Sequence, residues 1–194
     1  MDPPSGVDPL LELAIAWSLA ALFGASTVHK LAALEEWPGV VRNYRLLPDA
    51  LAPAVAAALL IAATLTAVAL LWPATRRIGA CAAAAQLLAF GAALAINLKR
   101  GRSSIDCGCF GSRLRDGIAG WMVARNAILA LLALSLLLPM GTRRLTVLDI
   151  AACTGCVAAL CLLYPVIAVV LRRPAPLAVE SRAAAAASTA ARRP

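Results

Sequence analysis

LAPAVAAALLIAATLTAVALLW, residues 51–72, runs for 22 positions without a charge. At ~1.5 Å per residue, a helix of that length spans the ~30 Å hydrocarbon core of a bilayer. Pro48 and Asp49 bound it on one side, and Pro73, Arg76 and Arg77 on the other. Working outward, residues 10–28, 78–98, 118–138 and 147–171 read the same way. No stretch alternates with period two, so a β-barrel is disfavoured. The fold class is an all-α integral membrane protein with five spans.

The whole chain agrees. Of its 194 residues 62% are apolar and 14% charged, against about 25% charged in an ordinary soluble domain. Too few polar residues are present to coat a water-soluble globule. Alanine fills 46 positions, and small residues let helices approach closely in lipid. The first span reads as a retained helix rather than a cleaved signal. No Lys or Arg precedes it, and Asp2, Asp8 and Glu12 stand where a basic leader would begin.

Residues 29–49 are too polar to span. There Glu35, Glu36, Arg42 and Arg45 are interleaved with Trp37, Val40, Val41, Tyr44 and Leu46, as in a short interfacial helix lying along the bilayer. After Arg172 the chain is mostly Arg, Ala and Pro. This tail has little to bury and is expected to be disordered, with basic residues that favour anionic lipid.

The net charge of +8 has a topological meaning. Five spans put 13 Lys and Arg on one side, in the first and third loops and the tail, and 4 on the other. The positive-inside rule then sets the N-terminus outside and the C-terminus in the cytoplasm of a plasma-membrane protein. It also puts the third loop inside. The basic residues are not interleaved with aromatics, so nucleic acid is not an expected partner; the lipid bilayer is.

That third loop carries the best chemical motif, Asp106-Cys107-Gly108-Cys109. Gly108 permits the sharp backbone that brings two sulfurs together. A disulfide across one residue is strained, hence oxidising and labile. Arg102, Arg113 and Arg115 favour thiolate, and Asp106 opposes it. Three readings fit the spacing: a redox-active dithiol, half of a soft-metal site, and a structural turn. A second pair, Cys153 and Cys156, opens the fifth span with C-x-x-C spacing, which places both sulfurs on one helix face. It reads either as a second redox pair or as small packing residues. Cys81 and Cys161 read as packing residues.

Arg125 and Asn126 lie about two turns into the fourth span. A charge at that depth is a functional candidate, and Arg125 is placed to snorkel towards the cysteine loop and support it. Gln86 and Asn97 read as hydrogen-bonding glue between helices. His29, the one histidine, reads as an interfacial polar residue. With a single His and no carboxylate cluster, a closed metal site is not expected. There is no phosphate-cradling loop, no Ser-His-Asp set and no haem-attachment motif, and nothing in the sequence requires a cofactor.

The run Arg100-Gly101-Arg102-Ser103-Ser104-Ile105-Asp106-Cys107-Gly108-Cys109-Phe110-Gly111, followed by Arg125-Asn126 in an apolar helix, resembles the MauE family of methylamine utilisation membrane proteins. Lys30 and Tyr44-Arg45-Leu46-Leu47-Pro48 fit the same pattern. The resemblance covers roughly residues 10–140 and implies a four-helix bundle of the DoxX type. Residues 1–9 are then an N-terminal tail, 141–171 an additional transmembrane helix and 172–194 the basic tail. It also implies a maturation role beside a thioredoxin-like partner, with the methylamine dehydrogenase small subunit or another exported disulfide-containing protein as client.

Three functions follow for comparison. The first is thiol–disulfide exchange through Cys107 and Cys109. The second is a non-enzymatic assembly factor whose cysteines only shape a loop. The third is a small-molecule or quinone-binding bundle, which the lack of paired broken helices disfavours.

Overall fold

The computed structural model describes residues 8–102, 119–139, 141 and 145–170. The described chain is helical. It contains α1 (Pro9–Ala32), α2 (Trp37–Asn43), α3 (Ala52–Leu71), α4 (Arg76–Lys99), α5 (Gly120–Ser135) and α6 (Val147–Val170), with a 3-10 turn at Asp49–Leu51 ahead of α3. α1, the segment Asp49–Leu71 and α4 are long and apolar enough to cross a membrane.

Local chemistry sets several helix ends. Asp8 caps α1, its carboxylate accepting from the Leu10 N–H at 2.8 Å, and Pro9 follows at the first helical position. α1 then runs past the expected end at residue 28 because Lys30 is itself buried. Between α3 and α4, the Thr75 hydroxyl donates to the Ala69 carbonyl at 3.0 Å and closes a four-residue turn. Gly79 makes that turn tight: a Cβ there would lie 2.9 Å from backbone atoms of Ala69 and Leu70.

α1, α3, α4 and α5 share one core. It is built from Ala16, Leu19, Ala20 and Phe23 of α1, Ala63 and Leu70 of α3, Ala80, Ala83, Ala84 and Leu87 of α4, and Ala130 and Ala133 of α5. α1 packs mainly on α3, α3 on α4 and α4 on α5, with a smaller α1–α5 contact closing the ring. The alanines perform the expected role: eight of these twelve buried side chains are methyl groups.

Two expectations need correction. The fourth span is a 16-residue helix, only ~24 Å long, because Leu136 and Leu137 already form a turn ahead of Pro139. Cys81 and Cys161 are exposed and do not pack inside the chain. Residues 29–49 do not span, and the short helix expected there is α2. They finish α1, give the seven-residue α2 and end in the 3-10 turn, and α2 packs against α3.

The chain divides into two compact units, Met1–Cys161 and Leu162–Pro194. The core shared by α1, α3, α4 and α5 belongs to the first. Of the second, the described part is the end of α6, which is helical to Val170. The basic tail lies outside the described residues.

Candidate functional site

The helix directions define two ends of the bundle. At the loop end α1 and α4 finish, α3 and α5 begin, and the chain departs into the segment that holds Cys107 and Cys109. Those two cysteines lie outside the described residues. What the structure describes is the frame that leads into them.

The frame starts at Trp37. Its indole N–H donates to the Ala56 carbonyl at 2.9 Å, pinning α2 to the first turns of α3. Trp37 is buried, and its ring also receives the Lys30 ammonium 4.9 Å from the centroid, with the Phe90 ring 5.8 Å away on α4. Lys30 further donates to the Ser26 hydroxyl at 2.5 Å. Two aromatic faces and a hydroxyl thus surround this ammonium inside the bundle. Lys30 thereby joins α1, α2 and α4 at one point.

The last turn of α4 completes the frame. Asn97 is fully buried and donates to the Ala93 carbonyl of its own helix at 3.0 Å. Its side-chain oxygen accepts from the Arg102 guanidinium at 3.3 Å. Arg102 also donates to the Asn43 carbonyl at 3.1 Å, and Arg100 to the Arg45 carbonyl at 3.3 Å. Two arginines immediately before the cysteine segment therefore clamp the end of α4 to the end of α2. Asn97 is thus not the expected glue between spans; it anchors this clamp. Gln86 does bridge spans, donating to the Thr66 hydroxyl at 2.6 Å and more weakly to the Ala62 carbonyl of α3.

Across from the clamp, α5 enters the bundle. Asn126 is buried and donates to the Met122 carbonyl at 2.9 Å. Gly91 leaves room for it, since a Cβ at that position would meet the Asn126 Cβ at 3.4 Å. Arg125 is half-buried, with its guanidinium 5.5 Å over the Trp121 ring, one turn nearer the start of α5. That contact sets it towards the start of α5.

The second cysteine pair lies on α6. Cys153 is buried and Cys156 exposed, and both are free thiols. The two pairs flank α5 in the chain, one before it and one after it. The structure does not bring a described residue of the loop-end frame to Cys153 or Cys156.

Sequence reading missed the feature at the opposite end. Glu12 on α1 and Arg76 on α4 form an ion pair at 2.8 Å, with side chains only 6% and 11% exposed. Arg76 also donates to the Leu70 carbonyl at 3.3 Å. A carboxylate inside an apolar span was the available signal, but its partner is 64 residues away and reads as loop charge.

Comparison with known proteins places this arrangement. The profile of the family described as "Methylamine utilisation protein MauE" matches residues 8–139. The chain belongs to the MauE family. It is similar to the methylamine utilization protein MauE of Paracoccus denitrificans, 44% identical over 130 residues, which is 67% of this chain and 70% of that one. The Paracoccus versutus MauE is 43% identical over 127 residues, 66% of this chain and 68% of the relative. The Methylorubrum extorquens MauE is 39% identical over 136 residues, 69% and 73% respectively. No solved structure matches. The MauE match spans α1 to α5 with the cysteine loop and stops before α6.

Proposed function

We propose that this MauE-family chain serves methylamine utilisation from the plasma membrane, supporting maturation of an exported disulfide-containing client by thiol–disulfide exchange. The methylamine dehydrogenase small subunit is the client of choice. What carries the reading is family membership over residues 8–139, a span that contains Cys107, Gly108 and Cys109. The Arg100 and Arg102 clamp supports it by fixing the point where the cysteine segment leaves the bundle. The reading takes α1, α3, α4 and α5 as a DoxX-like four-helix bundle with α6 as an added fifth span, and the core those four helices share supports it.

Exchange needs no cofactor. A thiolate of the pair attacks a disulfide and forms a mixed disulfide. The second cysteine resolves it, so the attacked partner leaves with two thiols and the loop keeps the disulfide. A thioredoxin-like partner returns two electrons to the loop. By loop charge Cys107 and Cys109 face the cytoplasm, with the N-terminus outside. Cys153 and Cys156 are the second pair, through which electrons reach an exported client. Arg125 supports the loop as a positioning residue.

The test is a Cys107→Ser, Cys109→Ser double variant in cells that depend on methylamine dehydrogenase. We expect the small subunit to accumulate with scrambled disulfides while the membrane protein remains at its normal level. Normal client disulfides in that variant would refute exchange and leave the assembly-factor role.

A further inference from the structure

Five cations crowd the loop end. Arg42 and Arg45 close α2, while Lys99, Arg100 and Arg102 close α4, and the Arg100–Arg45 and Arg102–Asn43 hydrogen bonds hold the two helix ends together. All are exposed except Arg102, which is half-buried. Those hydrogen bonds end on neutral carbonyls, and the Glu12–Arg76 ion pair is at the far end of the bundle. Glu35 and Glu36 stand at the other end of α2, ~10 Å along its axis, and Asp49, exposed four residues past Arg45, sets one negative charge against these five cations. Two helix C-termini together supply only about one negative charge. The ledge therefore stays strongly positive.

A second observation comes from the backbone. Arg45 has φ +47°, the left-handed region that glycine and asparagine occupy far more easily. It ends α2, its N–H donating to the Arg42 carbonyl at 3.0 Å, and this turn leaves its side chain exposed. Among the described residues the side chain of Arg45 makes no hydrogen bond or ion pair; its carbonyl, not its guanidinium, takes the bond from Arg100. Immediately beyond it Leu46, Leu47 and Leu51 are exposed.

We infer that this ledge binds the headgroup of an anionic phospholipid. Arg42, Arg45 and Arg100 take the phosphate, and the acyl chains lie along Leu46, Leu47 and Leu51. Exposed leucines beside the cations favour a lipid over an acidic protein segment, which would leave them uncovered. This inference is independent of the cysteine chemistry.

The test uses the full chain, purified in a neutral detergent, and equilibrium binding of a fluorescent phosphatidylglycerol. Unlabelled phosphatidylglycerol, phosphatidylcholine and inorganic phosphate compete in separate arms. We expect phosphatidylglycerol to displace the probe well and the other two poorly. An Arg42→Gln, Arg45→Asn double variant should bind roughly 25-fold more weakly, at about fivefold per basic residue. Neither of those side chains holds the fold, and asparagine accepts a positive φ, so Tm in neutral detergent stays level or rises. Replacing Arg172, Arg173, Arg192 and Arg193 with Gln should leave binding unchanged. Equal displacement by phosphatidylcholine, equal displacement by inorganic phosphate, parental affinity in the ledge variant, or loss of binding in the tail variant would each overturn the inference.

Discussion

Glu12 and Arg76 show what a single residue does in this chain. Each alone is a charge that an apolar environment disfavours, and at 2.8 Å each becomes the other's solvent. Removing one partner strands the other. Arg76→Met should therefore lower stability by about 3–5 kcal/mol, whereas a Glu12→Leu, Arg76→Met double variant should recover most of that loss. Thermal unfolding of both variants in detergent measures it; an additive loss in the double variant would deny the coupling. Lys30 follows the same logic with aromatic faces in place of a carboxylate. Neither partner set was legible in the sequence, because hydropathy reads each position against its neighbours and these partners come from other helices.

At the scale of elements the apolar runs were the legible part. The second and third spans appear within two or three residues of their expected limits, because uninterrupted apolar runs end at Pro and Arg. The limits moved where tertiary contacts outweighed composition. α1 gained four residues once Lys30 found Trp37, and α5 lost its last turn ahead of Pro139. The helix pairing rests on close approach. Gly79→Ala should force α3 and α4 apart and cost about 1–3 kcal/mol, since its new Cβ meets backbone at 2.9 Å. Gly24→Ala, with nothing within 4 Å of its Cβ, should cost nothing. Comparing the two Tm values checks this, and equal values would mean that the hairpin yields freely.

For the whole molecule, the sequence foretold the membrane class and the family. It did not reveal the clamp: Arg100 and Arg102 read as loop charge, yet they tie α4 to carbonyls of α2 more than 50 residues away. That clamp sets where the Cys107 and Cys109 segment begins, and the account stands on what those two thiols do. The direct measurement is labelling of Cys107 and Cys109 with a membrane-impermeant maleimide, in intact cells and in inverted membrane vesicles, as the ambient thiol potential is stepped. The account predicts that both cysteines label in inverted vesicles alone, and that they become labelled together, as one two-electron couple. Labelling that ignores the potential would contradict the exchange chemistry, and labelling from outside intact cells would contradict the inward-facing loop.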